Sequence, residues 1–214
     1  MTSAWPWVVL VLLGAYHGIN PGMGWLFAVA IGLQEKSRNS VLQALLPIAL
    51  GHAASIALVV AIVGGVEAFA PPRALRTGGA LSLIAFGLFK FVRPRSHPRW
   101  VGMRIGAGEL AVWSFLMATA HGAGLMLFPV LIALPASAHA GHAGHLQHVA
   151  GDPSIARDVA AVLVHTAAML LAMGAVALVV YEKLGLAILR KAWINLDLLW
   201  AIAVVAAGLF TLFT

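Results

Sequence analysis

The chain has 214 residues, 62% of them hydrophobic and only 9% charged, where a soluble domain carries about 25%. Those figures exclude a soluble globular domain and a disordered chain, and the absence of cysteine excludes a disulfide scaffold, a thiolate metal site and a CxxC redox motif. The formal charge of +6 raises the question of where the basic residues fall.

In chain order, six apolar stretches run over 5–33, 41–66, 75–92, 105–134, 156–181 and 193–213. Each is near the roughly 20 residues a helix needs to cross a hydrocarbon layer of about 30 Å, and none alternates as a barrel strand does. The first stretch has no basic leader and no small-residue cleavage site, so it reads as a retained helix. The expected architecture is all-α: a polytopic membrane protein of six transmembrane helices.

Ten of the 13 Lys and Arg residues lie in three alternate connections. Lys36 and Arg38 fall in the first of these, Lys90, Arg93, Arg95, Arg99 and Arg104 in the second, and Lys183, Arg190 and Lys191 in the third. Arg73, Arg76 and Arg157 fall on the other side. The positive-inside rule then places both termini outside the cytoplasm, with Trp5 and Trp7 at the outer interface and Trp100 and Trp193 at the inner one. The basic excess reads as a topology signal, with no nucleic-acid partner, and the Ala-, Gly- and Arg-rich composition points to a bacterial inner membrane.

The two halves carry matching motifs in the same order. Tyr16-His17-Gly18 pairs with Ala120-His121-Gly122, Gly51-His52-Ala53-Ala54 with Val164-His165-Thr166-Ala167, and Gly87-Leu88-Phe89 with Gly208-Leu209-Phe210. The offsets grow from 104 to 113 to 121 residues, as loop insertions would produce. A three-helix unit has an odd number of crossings, so the second copy is inverted relative to the first. The expected organisation is a first repeat over 1–92, a basic cytoplasmic linker over 93–104, and a second repeat over 105–214 with a histidine-rich loop at 136–152. Such 3+3 inverted repeats recur in secondary transporters, with the substrate site at the midplane between the halves.

His17, His52, His121 and His165 all fall near the middle of their spans; His17 lies 12 residues past Trp5, roughly 18 Å down a helix. One such histidine is ordinarily a neutral, hydrogen-bonded core residue. Four at similar depth, paired by the repeat, point to a shared site, because intramembrane ionisable residues are costly and usually functional. Beside His17 the chain reads Asn20-Pro21-Gly22-Met23-Gly24. Pro21 and the glycines predict a broken helix, whose freed carbonyls are tolerated only where the backbone is buried or lines a cavity, with Asn20 adding a side-chain oxygen. The blander reading is a simple proline kink. The matching stretch His121-Gly122-Ala123-Gly124 lacks the proline, and Pro129 follows two turns later. His165, Met169 and Met173 share one helical face, as do Met117 and His121, although such a methionine stripe is more often packing than ligation. Imidazole with thioether suits Cu(I), and imidazole with oxygen suits Ni, Co or Zn.

Between the fourth and fifth spans, His139, His142, His145 and His148 recur every three residues among Ala and Gly. This tract reads as a weak, exchangeable ion collector, or else as a polar spacer.

The layout of six spans, the break at His17-Gly18-Ile19-Asn20-Pro21-Gly22, Gly51-His52 in the second span and the His-rich loop resemble the lysine-exporter superfamily, and within it the nickel/cobalt efflux permease family. The resemblance implies cation-coupled export with His17 and His52 near the ion path. The chain departs from the family in one respect: no Asp or Glu lies deep in any span, so a divalent ion here would meet only neutral ligands.

The sequence therefore predicts an integral membrane transporter, not an enzyme, that exports a transition-metal cation (Ni, Co, Zn or Cu) through His17, Asn20, His52, His121 and His165. Two alternatives stand beside it. One is a membrane redox protein binding b-type haem through the pairs His17/His121 and His52/His165. The other is an exporter of a small organic molecule or an accessory subunit. The partners expected are lipid and the ion, with a homo-oligomer or a partner membrane subunit as a further expectation.

Overall fold

The computed structural model describes residues 4–67, 69–92, 106–134, 153–184 and 196–213, and all regular structure among them is helical. The predicted linker at 93–104, the histidine tract at 136–152, and Arg190, Lys191 and Trp193 lie outside the described residues. Eight α-helices follow in order: α1 (Trp5–Ile19), α2 (Trp25–Glu35), α3 (Arg38–Glu67), α4 (Pro72–Val92), α5 (Ala107–His121), α6 (Ala123–Ala133), α7 (Pro153–Val179) and α8 (Leu196–Phe213). A 3-10 turn, Pro21–Met23, separates α1 from α2, and a π turn, Val180–Leu184, ends α7. Proline sits in the first turn of α1, α4 and α7, where its missing N–H costs nothing.

Among the described residues, three helices are long and apolar enough to cross a membrane: Arg38–Val63 in α3, Arg73–Val92 in α4 and Ile155–Lys183 in α7 with its π turn. The pair α5–α6 qualifies as a fourth if its two parts are taken as one span bent by 59°. α1, α2 and the Ala201–Phe213 part of α8 are shorter apolar helices. The first and fourth predicted stretches are thus each divided into two helices. Both are divided in the same way, a 15-residue helix ending near a histidine followed by an 11-residue helix.

Three helix pairs make the most extensive interfaces: α1 with α7, α3 with α5, and α4 with α8. Their approach depends on glycine, as is general where helices pack without a hydrophobic drive between them. A Cβ on Gly14 would strike the His165 carbonyl oxygen, one on Gly18 the Met169 carbonyl oxygen, and one on Gly51 the Ala111 carbonyl oxygen. In the α4–α8 pair the contacts are reciprocal. A Cβ on Gly87 would lie 3.1 Å from the Ala201 oxygen and 2.5 Å from Val205, and one on Gly208 would lie 2.9 Å from the Ala80 oxygen and 2.8 Å from Ile84. Gly87 and Gly208 are 121 positions apart, and so are Ala80 and Ala201, and Ile84 and Val205. The two helices therefore cross antiparallel through corresponding residues. α3 and α7 also run antiparallel: Arg38 at the start of α3 pairs with Glu182 just after α7, at 3.3 Å. That exposed pair adds little stability. It does bring the 34–40 connection and the end of α7 to one side of the bundle.

Many large apolar side chains are exposed on α1, α3, α4, α7 and α8, among them Leu12, Leu46, Leu50, Ile62, Leu163 and Leu171. The buried interior holds His17, His52, His121 and His165 together with Asn20, Ser55 and Ser114. An apolar exterior around a core that buries a few paired polar groups suits a lipid solvent.

A testable consequence concerns the α3–α5 contact. Gly51→Ala should lower stability by about 1–3 kcal/mol, because the added methyl meets backbone that cannot yield. Gly78→Ala, whose new methyl meets nothing within 4 Å, should be neutral or stabilising. Thermal unfolding of the detergent-solubilised variants checks this, and equal midpoints would contradict the packing described.

Candidate metal centre

The site is built on two interrupted helices. Before Pro21, Asn20 is held extended (φ −66°, ψ 120°), which ends α1. The backbone groups released there find partners within a few residues. The Asn20 N–H donates to the carbonyls of Tyr16 and His17, the Gly22 N–H donates to Asn20 Oδ1 at 2.8 Å, and Trp25 Nε1–H donates to the Ile19 carbonyl at 3.1 Å. Gly24 then turns through φ 116° and α2 begins. In the second half Gly122 alone makes the turn, at φ 69°, directly after His121. Both positive angles are ones that glycine adopts at little cost.

Each interruption fixes a histidine in the last turn of the preceding helix. His17 Nδ1 lies 2.9 Å from the Leu13 carbonyl oxygen, and His121 Nδ1 lies 2.8 Å from that of Met117. His165, in mid-α7, places Nδ1 3.2 Å from the Leu10 carbonyl oxygen of α1. A carbonyl can only accept, so in all three residues Nδ1 carries the hydrogen and Nε2 the lone pair.

His17, His52 and His165 converge, with their ligand nitrogens all within 4.8 Å of one another. His52 Nε2 is 3.4 Å from His165 Nε2, while their near-parallel ring centres are 5.6 Å apart. The nitrogens are much closer than the ring centres, so the two rings meet end to end rather than face to face. His17 stands beside this pair almost equidistantly, its ring centre 5.2 Å from that of His52 and 5.1 Å from that of His165. Two imidazole nitrogens bound tetrahedrally at about 2.0–2.1 Å to one ion are roughly 3.3–3.4 Å apart, which is the spacing of His52 and His165. Completing the set with His17 takes a shift on the order of 1 Å. Among the described residues, no carboxylate belongs to the cluster.

The other residues expected at the site are placed as follows. Asn20 is buried, but its oxygen is engaged in capping the 3-10 turn, and its Nδ2 has no hydrogen-bond partner among the described residues. His121 is buried and lies outside the cluster of three. Its Nε2 and Cε1 lie 3.7 Å from where a Cβ on Gly22 would stand, against the 3-10 turn that follows His17. Met169 and Met173 are fully buried in an apolar cluster with Met23, Trp25, Leu45 and Ile48. His139, His142, His145 and His148 lie outside the described residues.

Sequence reasoning missed the groups that aim the histidines. The Leu13 and Met117 carbonyls are each four residues before a histidine, a spacing that was available to notice. The Leu10 carbonyl reaches His165 across a helix interface and has no local signal. The hydroxyl pair Ser55–Thr119 (2.9 Å) and the Ser114 hydroxyl, which donates to the Ile48 carbonyl (2.7 Å), fasten α3 to α5 and so hold His52 in place. No family model, curated protein or solved structure matches the chain.

The tautomers are open to measurement. Nitrogen-15 NMR of histidine-labelled protein, assigned with single His→Gln variants, should show the Nδ1–H form at His17, His121 and His165 in the absence of added metal. An Nε2–H form at any of the three would contradict the assigned hydrogen bond.

Proposed function

We propose that the protein is a polytopic transporter of the bacterial inner membrane that exports a transition-metal cation through a site formed by His17, His52 and His165. The observation that carries this reading is the convergence of three buried imidazoles from three helices, with their nitrogens within 4.8 Å of one another and the Nε2 lone pairs of His17 and His165 fixed by the bonds their Nδ1 atoms make. Imidazole nitrogen is a preferred ligand for Zn, Cu, Ni and Fe. Proton and metal compete for the same lone pair, so a proton gradient can drive release. The neutral ligand set suits a monovalent ion such as Cu(I) on charge alone. A divalent ion would have to keep water or an accompanying anion.

In this reading α1–α2, α3 and α4 form one repeat and α5–α6, α7 and α8 an inverted second, giving six spans. The equal division of the first and fourth spans, the antiparallel α3/α7 and α4/α8 pairs and the reciprocal glycine contacts all support it. The Arg38–Glu182 pair supports placing the 34–40 and 182–192 connections on one side, the basic cytoplasmic side, with both termini opposite. The resemblance to the lysine-exporter superfamily agrees with that layout. The His-rich loop would then face the exterior and collect ions weakly.

The haem reading is less well supported. An iron held between His52 and His165 needs a porphyrin plane perpendicular to the line joining them, and His17 stands in that plane, about equally distant from both rings. An organic substrate is less well supported too, since the three imidazole nitrogens lie within 4.8 Å of one another, a spacing that suits one shared ion.

Elemental analysis of detergent-purified protein with His139, His142, His145 and His148 replaced by Ala should find close to one equivalent of Ni, Co, Zn or Cu after exposure to each ion. His52→Ala should lose it. In proteoliposomes His17→Ala and His52→Ala should each abolish transport while the protein still inserts, and His142→Ala should reduce it modestly at most. Stoichiometric iron would favour haem, and no ion above background would sink the metal reading.

A further inference from the structure

His52 and His165 occupy corresponding positions in the two halves, 113 residues apart, and they touch each other. With the halves read as the inverted repeats proposed above, two equivalent residues in contact straddle the axis that relates them. The operation that exchanges the halves therefore leaves this pair where it is. The same operation exchanges His17 and His121, which are 104 residues apart.

Those two histidines share their local construction. Each sits in the last turn of a 15-residue helix, and each gives its Nδ1 hydrogen to the carbonyl four residues before it. Each is followed by a glycine turn of positive φ, Gly24 or Gly122, and then by an 11-residue helix. Their present positions differ. His17 completes the cluster, while His121 lies one layer back, against the turn that holds Pro21 and Gly22. The turns differ in step with this: Asn20, the 3-10 turn and Gly24 follow His17, and Gly122 alone follows His121. Two halves of like construction thus hold two different local conformations around one shared pair.

Resting on the metal-transport reading, we infer that His121 is an alternate ligand. The ion passes between two overlapping three-histidine sites, one completed by His17 and the other by His121, with His52 and His165 common to both. When the halves exchange conformations, the His17 turn opens and the His121 turn closes onto the shared pair. Each ligand set faces a different side of the membrane. The ion is never left without imidazoles, because two of its three ligands do not change. The exchange breaks one metal–nitrogen bond and makes one, with no net change in ligand charge.

The test uses the full chain with His139, His142, His145 and His148 replaced by Ala as the parent, and on it the variants His17→Gln, His121→Gln, His17→Gln with His121→Gln, and His52→Gln, each checked for unchanged elution and helix content. His121→Asn serves as a second replacement. Equilibrium dialysis against Ni2+, Co2+, Zn2+ and Cu+ in turn measures binding, and proteoliposomes measure transport of the same ions. Each single variant at 17 or 121 should retain a bound equivalent, while the double variant should bind at least roughly tenfold more weakly than either. Net transport should be lost in both single variants. If His121→Gln and His121→Asn transport like the parent, or if His17→Gln alone loses as much affinity as the double variant, the handover is wrong although the metal site stands. If the loop-substituted parent binds none of the four ions, the metal site itself falls and the handover with it.

Discussion

In an apolar surrounding every backbone N–H and C=O must find its partner inside the chain, and the rest of this structure follows from how it meets that demand at two interrupted helices. A continuous helix meets it automatically. A helix that stops near the middle of the bundle does not, and the chain spends specific residues on the repair. Asn20 supplies a side-chain oxygen to the Gly22 amide, Trp25 supplies its indole N–H to the Ile19 carbonyl, and the amides of Asn20 and Gly122 each fold back on two carbonyls of the preceding turn. Once these groups are satisfied, the last turns of α1 and α5 become fixed mounts for His17 and His121. The interruption and the histidine are one device.

The same constraint orients the imidazoles. A buried histidine must place its N–H on an acceptor, and the acceptors at hand are the carbonyls of Leu13, Met117 and Leu10. Satisfying Nδ1 leaves Nε2 as the basic nitrogen, turned toward the centre for His17 and His165. The end-to-end contact of His52 with His165 then has a definite proton arrangement: His165 Nε2 accepts, so His52 Nε2 donates. Seating an ion there requires His52 to move that hydrogen to Nδ1 or to lose it. On the metal-transport reading, ion entry and proton movement would be coupled at this one nitrogen, which would give proton competition a physical location.

Much of this was legible in the chain, for identifiable reasons. The helical class followed from apolar runs without alternation. The break after His17 followed from Pro21 and its glycines, because those residues act on the backbone locally. The expected grouping of His17, His52, His121 and His165 rested on their common depth and their paired motifs, and three of the four do meet; Gly87 with Gly208 marked a contact that proves reciprocal. What was not legible depends on how helices cross. The division of the fourth span at Gly122 has no proline to announce it, since one glycine with positive φ suffices. The separation of His121 from the other three, and the reach of Leu10 to His165, are set by interhelical spacing that glycines at 14, 18 and 51 permit and that no local pattern encodes. Asn20 was read as a donor of oxygen to an ion. Its oxygen is engaged in the turn, because the nearest unpaired amide, that of Gly22, competes for it at two residues' distance.

A site built only from neutral imidazoles also bears on turnover. A carboxylate would deepen the well for a divalent ion and slow its departure, whereas transport requires a site weak enough to be vacated. Three imidazoles bind through directed lone pairs while leaving the ion's charge uncompensated in a low dielectric, so occupancy carries a standing electrostatic cost. That cost rises with ionic charge and falls wherever water can reach the ion. On the proposed transport reading it opposes prolonged residence in the bundle and favours exit. The lack of deep carboxylates, which counts against tight storage of a divalent metal, is what a pathway for brief passage needs.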